Sequence, residues 1–257
     1  MTSPSSSPGP TYNTTPSEAA ALERIISPER FKGFEDEAAS TSCVALDLYL
    51  WDRDLATAAL GDIAILEVAL RNALDERLEI LANRRDWYDS TIEFDDRSRR
   101  SIQKAKRDVR RSGNFIPARV IAQLMFGFWP ELLEAGGVID EKKSTKRMAN
   151  YEDDLWRAGL SKAFPGGRLV ASHRGEKFDS TWMHVLIKRV HALRNRAGHH
   201  ESLYKGITMP GQQGTRITVD DAHEACVLLA KCLDRDLGTW FEKNSQMAKC
   251  LPLRPPL

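Results

Sequence analysis

The segment Val190-His191-Ala192-Leu193-Arg194-Asn195-Arg196-Ala197-Gly198-His199-His200-Glu201 holds the side chains best suited to chemistry. Its last eight residues gather two arginines, an amide, two adjacent histidines and a carboxylate. Imidazole takes and gives a proton near neutral pH. Guanidinium is a permanently charged planar fork that fits phosphate oxygens. An amide offers one donor group and one acceptor to orient a substrate or a ring nitrogen. That set suits phosphodiester cleavage by proton transfer and charge stabilisation, without a metal. The plain alternative is a charged helix end, where the helix dipole favours cations. Spacing alone leaves both readings open. Against the plain one, Asn, Gly and His are poor helix formers beside Glu and Lys, and such local conflicts tend to mark functional sites.

Two more stretches bear on the choice. The first is Leu66-Glu67-Val68-Ala69-Leu70-Arg71-Asn72-Ala73, where Glu67 and Arg71 share a helix face four residues apart. The second is Phe126-Gly127-Phe128-Trp129 followed by Pro130-Glu131-Leu132-Leu133. Physically it reads as core, large aromatics around a glycine that admits a close neighbour. A stacking platform for bases is the sharper alternative.

Together with Arg194-Asn195-Arg196-Ala197-Gly198-His199-His200-Glu201, these stretches resemble the hallmarks of Abi-like (abortive-infection) proteins of the HEPN superfamily. The resemblance runs over roughly residues 43 to 241. It implies an all-α fold, an elongated helical bundle of HEPN type with extra N-terminal and insert helices. It implies a metal-independent endoribonuclease of phage defence or growth arrest, with no cofactor. In that reading His199 is the acid or base. Arg194 stabilises phosphate charge, and Asn195 orients His199 or the phosphate. Arg196, His200 and Glu201 form the near shell, joined by Glu67, Arg71 and Asn72. Ala197-Gly198, where the family often has a larger residue and then Ala, is a departure that leaves the polar members in place. The partners implied are RNA, a second copy of the chain, and an antitoxin or phage-derived trigger. The other reading is a non-catalytic module of the same fold that binds or senses RNA or nucleotides. Metal-dependent hydrolysis through the histidines fits worse, because His199 and His200 are adjacent and no H-x-x-x-H spacing accompanies them.

Geometry constrains the motif. Asn195 and His199 are four apart and share a face. Arg194 and His199 are five apart, about 140° around an ideal helix. Either the long arginine wraps round, or the helix loosens at Gly198, or a second chain completes the site.

The elements that must position these groups read as helices. With 257 residues, 42% hydrophobic and 28% charged, the chain can bury a full core. Its formal net charge of +1 announces no polyanion partner, so an RNA site needs local clustering. Residues 97–111 supply a cluster, eight basic side chains against Asp108 alone. Arg100, Lys104 and Arg107 are the candidate phosphate contacts on that helix; a merely solvated face is the alternative. Leu55, Ala59, Ile63, Leu66, Leu70, Leu74, Leu78 and Leu81 recur at three- and four-residue steps and predict one long core helix, with Gly61-Asp62 as a kink. The central helix is capped by Ser180 or Thr181 and packs through Trp182, Val185, Leu186, Arg189, Val190 and Leu193. Residues 136–150 read as a polar connection, 154–164 as a helix, and 168–179 as a loop. One last long helix carries Ala222, Cys226, Leu229, Leu233, Trp240 and Phe241, and begins at the capping box Thr218-x-x-Asp221.

Residues 1–17 read as a disordered tail, 18–247 as a single domain and 248–257 as a frayed end. No apolar run can span a bilayer, and no signal peptide is recognised, so a cytoplasmic protein without a membrane partner is expected. Cys43, Cys226, Cys232 and Cys250 show no C-x-x-C spacing and read as reduced thiols.

Overall fold

A computed structural model describes residues 12–256 apart from 42, 114, 143, 212 and 213. The chain is all-α. Its helices are α1 (Pro16–Ile26), α2 (Pro28–Ser40), α3 (Ala45–Ala82), α4 (Asp96–Arg111), α5 (Pro117–Gln123), α6 (Phe128–Glu131), α7 (Gly167–His173), α8 (Ser180–Gly198), α9 (Val219–Leu233), α10 (Arg235–Asn244) and α11 (Gln246–Cys250). Strand among the described residues is confined to two antiparallel ribbons. Val138–Ile139 (β1) pairs with Arg147–Met148 (β2), and Ile207–Thr208 (β3) with Arg216–Ile217 (β4).

The contacts divide the chain into two compact units. One comprises Met1–Asp62, Ala192–His223 and Glu242–Leu257; the other comprises Ile63–His191 and Glu224–Phe241. Helices α3, α8, α9 and α10 give residues to both.

In the first unit Leu48, Trp51, Leu55 and Ala59 of α3 are fully buried. Phe31 and Phe34 of α2 pack on Tyr49, with ring centroids 6.1 and 5.2 Å away. The tail expected over 1–17 ends earlier than predicted, and residues 1–11 lie outside the described set. Thr15 forms a capping box with Glu18 at the start of α1, and Tyr12 donates to Asp54 at 2.7 Å. Asp62 does not kink α3. It is buried and accepts from the Ser245 hydroxyl at 2.6 Å and from the Gln246 and Met247 N–H groups at 3.0 Å. That carboxylate fixes the start of α11, so the chain expected to fray past Met247 is helical to Cys250 and turns once more over Leu251–Leu253. Trp51 Nε1 donates to the Cys250 carbonyl at 2.9 Å.

In the second unit Ile63, Leu66, Leu70, Leu74 and Leu78 continue the predicted stripe and are fully buried, while Leu81 is half-buried. Trp87 stands at the centre of an aromatic cluster with Tyr88, Phe94, Phe128 and Trp129. Burial of Phe126, Phe128 and Trp129 decides for core over a stacking platform. Gly127 admits the His191 ring, since a Cβ there would lie 3.0 Å from Cε1. The polar connection over 136–150 contains β1 and β2. Its Gly137 N–H donates to Asp95, the cap of α4, at 2.9 Å.

Several boundaries differ from the sequence reading. The helix expected over 154–164 is a π-helical turn (Glu152–Arg157) followed by a 3-10 turn (Leu160–Ala163). The loop expected over 168–179 begins as α7. Asp179 caps α8 by accepting from Trp182 N at 2.9 Å, in place of Ser180 or Thr181. Met183 and Ile187 join the packing face of α8, and Val185 is exposed. The last long helix breaks at Asp234, which accepts from Leu237 N at 2.8 Å and starts α10, leaving Trp240 exposed. The Thr218–Asp221 capping box forms as predicted.

Candidate active site

The motif occupies the end of α8, within the first unit. Arg194, Asn195 and Arg196 are half-buried, Ala197 is buried, and Gly198, His199, His200 and Glu201 are exposed. The helix ends in a Schellman turn. The His200 N–H donates to the Ala197 carbonyl at 3.1 Å, and the Glu201 N–H to the Arg196 carbonyl at 2.9 Å. The left-handed residue of that turn is His200, with φ 56°. Glycine is the usual occupant, because a Cβ is penalised in this conformation. His199 therefore sits at the junction. Its N–H still donates to the Asn195 carbonyl at 2.9 Å, and its imidazole is exposed.

The sequence posed Arg194 and His199 as five residues apart around a helix. In the fold the helix stops at Gly198, and His199 takes its last i→i−4 hydrogen bond. The Arg194 guanidinium lies along the last turn, since a Cβ built on Gly198 would stand 3.8 Å from Nη1.

Four side chains hold the residues that follow. Arg196 Nε donates to the Ser202 carbonyl at 2.6 Å, and its Nη1 stands 3.4 Å from Glu201. Arg30 of α2 donates to the His200 carbonyl. Asp52 of α3 accepts from Leu203 N at 2.9 Å and Tyr204 N at 2.7 Å. The Tyr204 hydroxyl donates to the Gly33 carbonyl. Asp52 is 6% exposed, and burial pushes its carboxyl up to about 6 against the opposing pull of the two N–H groups, Arg196 and Arg30. The motif is thus mounted on a segment fixed from α2, α3 and α8. Arg30, Asp52 and Tyr204 were not singled out by the sequence reading.

Replacing His200 with glycine is expected to stabilise the protein by about 0.5–1 kcal/mol, because relief of the left-handed Cβ outweighs the added freedom of the unfolded chain. Denaturant unfolding checks this, and a less stable glycine variant would mean that the His200 side chain itself supports the turn.

The remaining predicted site residues lie in the second unit. Glu67 and Arg71 are half-buried on α3, and Asn72 is exposed, accepting from Arg71 Nε at 3.5 Å. On α4 the basic residues divide. Arg97 pairs with Glu131 and Glu134, Arg99 with Asp140, and Lys106 is buried against Asp89. Arg100, Lys104 and Arg107 are exposed, as are Arg110, which lies over the Phe115 ring, and Arg111. His184 stands 3.2 Å from Glu134, and His191 stacks on Phe126 at 5.1 Å, both flanking the core as expected. His173 is exposed at the end of α7. All four cysteines are free thiols, with Cys226 and Cys232 buried.

Among the described residues no group of three or more His, Cys, Asp or Glu side chains is placed to hold a metal ion, and no helix is long and apolar enough to cross a membrane. No family model, no curated protein and no solved structure matches the chain.

Proposed function

We propose that the protein is a metal-independent endoribonuclease of the Abi-like HEPN type, acting in phage defence or growth arrest from the cytoplasm. One observation carries the reading. An exposed imidazole, His199, stands at a fixed helix end with the Arg194 guanidinium along the same turn. His199 serves as the proton-transfer group. In the reaction the ribose 2′-oxygen attacks phosphorus, its proton passes to a base, and the 5′-oxygen leaves with a proton from an acid. The products are a 2′,3′-cyclic phosphate and a 5′-hydroxyl. Arg194 stabilises the charge on the phosphate oxygens. Asn195 orients His199 or the phosphate, and Arg196, His200 and Glu201 form the near shell. The test is cleavage of total RNA by wild type and His199→Ala, with and without chelator, followed by end-group analysis. Cyclic-phosphate ends that form in chelator and depend on His199 support the reading. RNA that is bound but never cut supports a binding scaffold instead.

One chain presents one Arg194–His199 pair, whereas the chemistry calls for a base and an acid. A two-fold dimer would bring a second pair to the same phosphate. Sedimentation is expected to show a dimer at concentrations where the protein is active. A fully active monomer would overturn the dimer.

The exposed face of α4 supplies the sequence-independent part of RNA affinity. Three phosphate contacts by Arg100, Lys104 and Arg107 correspond to a log–log salt slope of about −2, at about −0.7 per contact on single strands. Replacing all three with Gln is expected to flatten the slope by that amount and to leave the cut bonds unchanged, because phosphate contacts carry no base information. Unchanged affinity and slope in a folded triple variant would assign this face to solubility or to an acidic antitoxin.

A further inference from the structure

A cavity of about 650 Å³ opens beside the motif, within the first unit. That size lies in the range of small-molecule sites. Arg196 and His200 line it from the motif side, Arg30 from α2, and Tyr49, Asp52 and Arg53 from α3. His199 is not in the wall, but its chain neighbour is.

The wall chemistry specifies a ligand. Three guanidiniums face two carboxylates, Asp52 and Glu201, and Glu201 is already beside Arg196. Arg53 is held by Asp54 at 2.6 Å, so the guanidinium left to face the cavity is that of Arg30, and the group it fits is an anion. Arg30 spends one Nη on the His200 carbonyl, whereas a guanidinium has five N–H groups to give. Asp52 is buried, and among the described residues its oxygens accept the Leu203 and Tyr204 N–H groups in three contacts, where a carboxylate has room for about four. Its remaining capacity calls for a donor, a hydroxyl or an amino group. The Tyr49 ring, braced edge-on by Phe34 at 5.2 Å, offers an aromatic wall. An anion, a hydroxyl or amino donor and a flat ring, joined in one molecule of this size, make a nucleotide.

We propose that this cavity is a nucleotide subsite, with the base against Tyr49, a sugar hydroxyl or base amino group donating to Asp52, and the phosphate on Arg30. Its placement next to His199 makes the occupant one unstacked nucleotide of the RNA strand beside the cut, and that part rests on the ribonuclease reading. Extruding one base costs its stacking in the strand, which aromatic contact in the pocket returns.

The experiment titrates the four nucleoside 5′-monophosphates and inorganic phosphate into full-length His199→Ala protein, which is expected to bind without turning RNA over. The four-nucleotide panel should bind with a ranked preference, and phosphate alone at least roughly tenfold more weakly, for want of the aromatic contact. Thr57 is exposed on the cavity wall, so Thr57→Trp fills the mouth, and Arg53→Glu breaks an exposed pair with Asp54 and turns that side of the wall acidic, against a phosphate on Arg30. Each is expected to weaken nucleotide binding about tenfold or more with the melting temperature unchanged, the scale of one lost charge-assisted hydrogen bond. In the active protein Thr57→Trp should also shift which bonds of a mixed-sequence RNA are cut. Nucleotide binding that neither variant touches overturns the site. RNA cleavage with an unaltered cut pattern and no mononucleotide binding overturns it too, and leaves the ribonuclease reading intact. Nucleotide binding at the cavity in a wild type that cuts no RNA overturns the ribonuclease reading, and assigns the pocket to a free nucleotide.

Discussion

Replacing His199 with alanine is expected to lower RNA cleavage by about 10²- to 10⁴-fold, the contribution of a positioned acid or base. The melting temperature should move by no more than about 2 °C. His199 is exposed, and only its backbone N–H is needed to end the helix, a bond that alanine keeps. A surface change of this kind stays within about 0.5 kcal/mol. RNA affinity should change little, because the proposed phosphate contacts are Arg194 and the basic side chains of α4. The controls separate the roles. His199→Gln keeps hydrogen bonding and loses proton transfer, so it should be as inactive as alanine. Arg194→Lys keeps the charge and loses the planar fork, so it should fall between wild type and His199→Ala. Rates are read as single-turnover cleavage, with binding measured separately. A folded His199→Ala protein that cleaves at the wild-type rate removes His199 from the chemistry and with it the proposed function.

The helices were legible because period and burial agree. The stripe from Leu55 to Leu78 is buried at every predicted position. The Trp87 and Phe126–Trp129 aromatics are buried because large apolar rings gain most from leaving water. What misled was punctuation set by distant carboxylates. Nothing near Met247 in the sequence announces that Asp62, on α3, will order the start of α11. Asp179 takes the α8 cap from Ser180 one residue away, a local contest between two good capping residues. The short β1–β2 ribbon hides in a polar stretch with no alternation to reveal it.

The candidate site is legible in its residue types and illegible in its mounting. Arg194, Asn195 and His199 stand out by residue type. Their support comes from Arg30 and Tyr204, which look like ordinary surface residues in sequence. Asp52 did leave a signal. Leu48, Asp52, Leu55 and Ala59 follow one helical stripe, so a carboxylate falls on the buried face. A charge placed there needs partners from elsewhere in the chain, and it finds two backbone N–H groups just past the motif. His200 also left a signal, because a helix that ends at Gly198 without glycine two residues later must close its Schellman turn on a residue with a Cβ.

Asp52 carries the second large effect. Burial raises its carboxyl from 3.8 to about 6, opposed by the N–H groups of Tyr204 and Leu203 and by Arg196 and Arg30. The folded protein therefore keeps a proton that the unfolded chain has released between those two values. Stability from this group is highest below about pH 4, falls as pH rises towards 6, and is flat above, a span of about 3 kcal/mol. Asp52→Asn keeps an oxygen to accept the two N–H groups and cannot titrate. Its stability relative to wild type should therefore improve by about 3 kcal/mol between pH 4 and pH 7, in denaturant unfolding at matched ionic strength. Every other titrating group is common to both proteins and cancels in the difference. Asp52→Ala leaves the Leu203 and Tyr204 N–H groups buried without that acceptor and should cost about 2–5 kcal/mol at any pH. It should also slow cleavage, because the segment after His199 loses its tie to α3. The asparagine variant keeps the tie, so it should cleave faster than the alanine variant. Parallel pH profiles for wild type and Asp52→Asn would show that the Leu203 and Tyr204 N–H groups and the nearby arginines offset burial in full, which overturns the raised carboxyl.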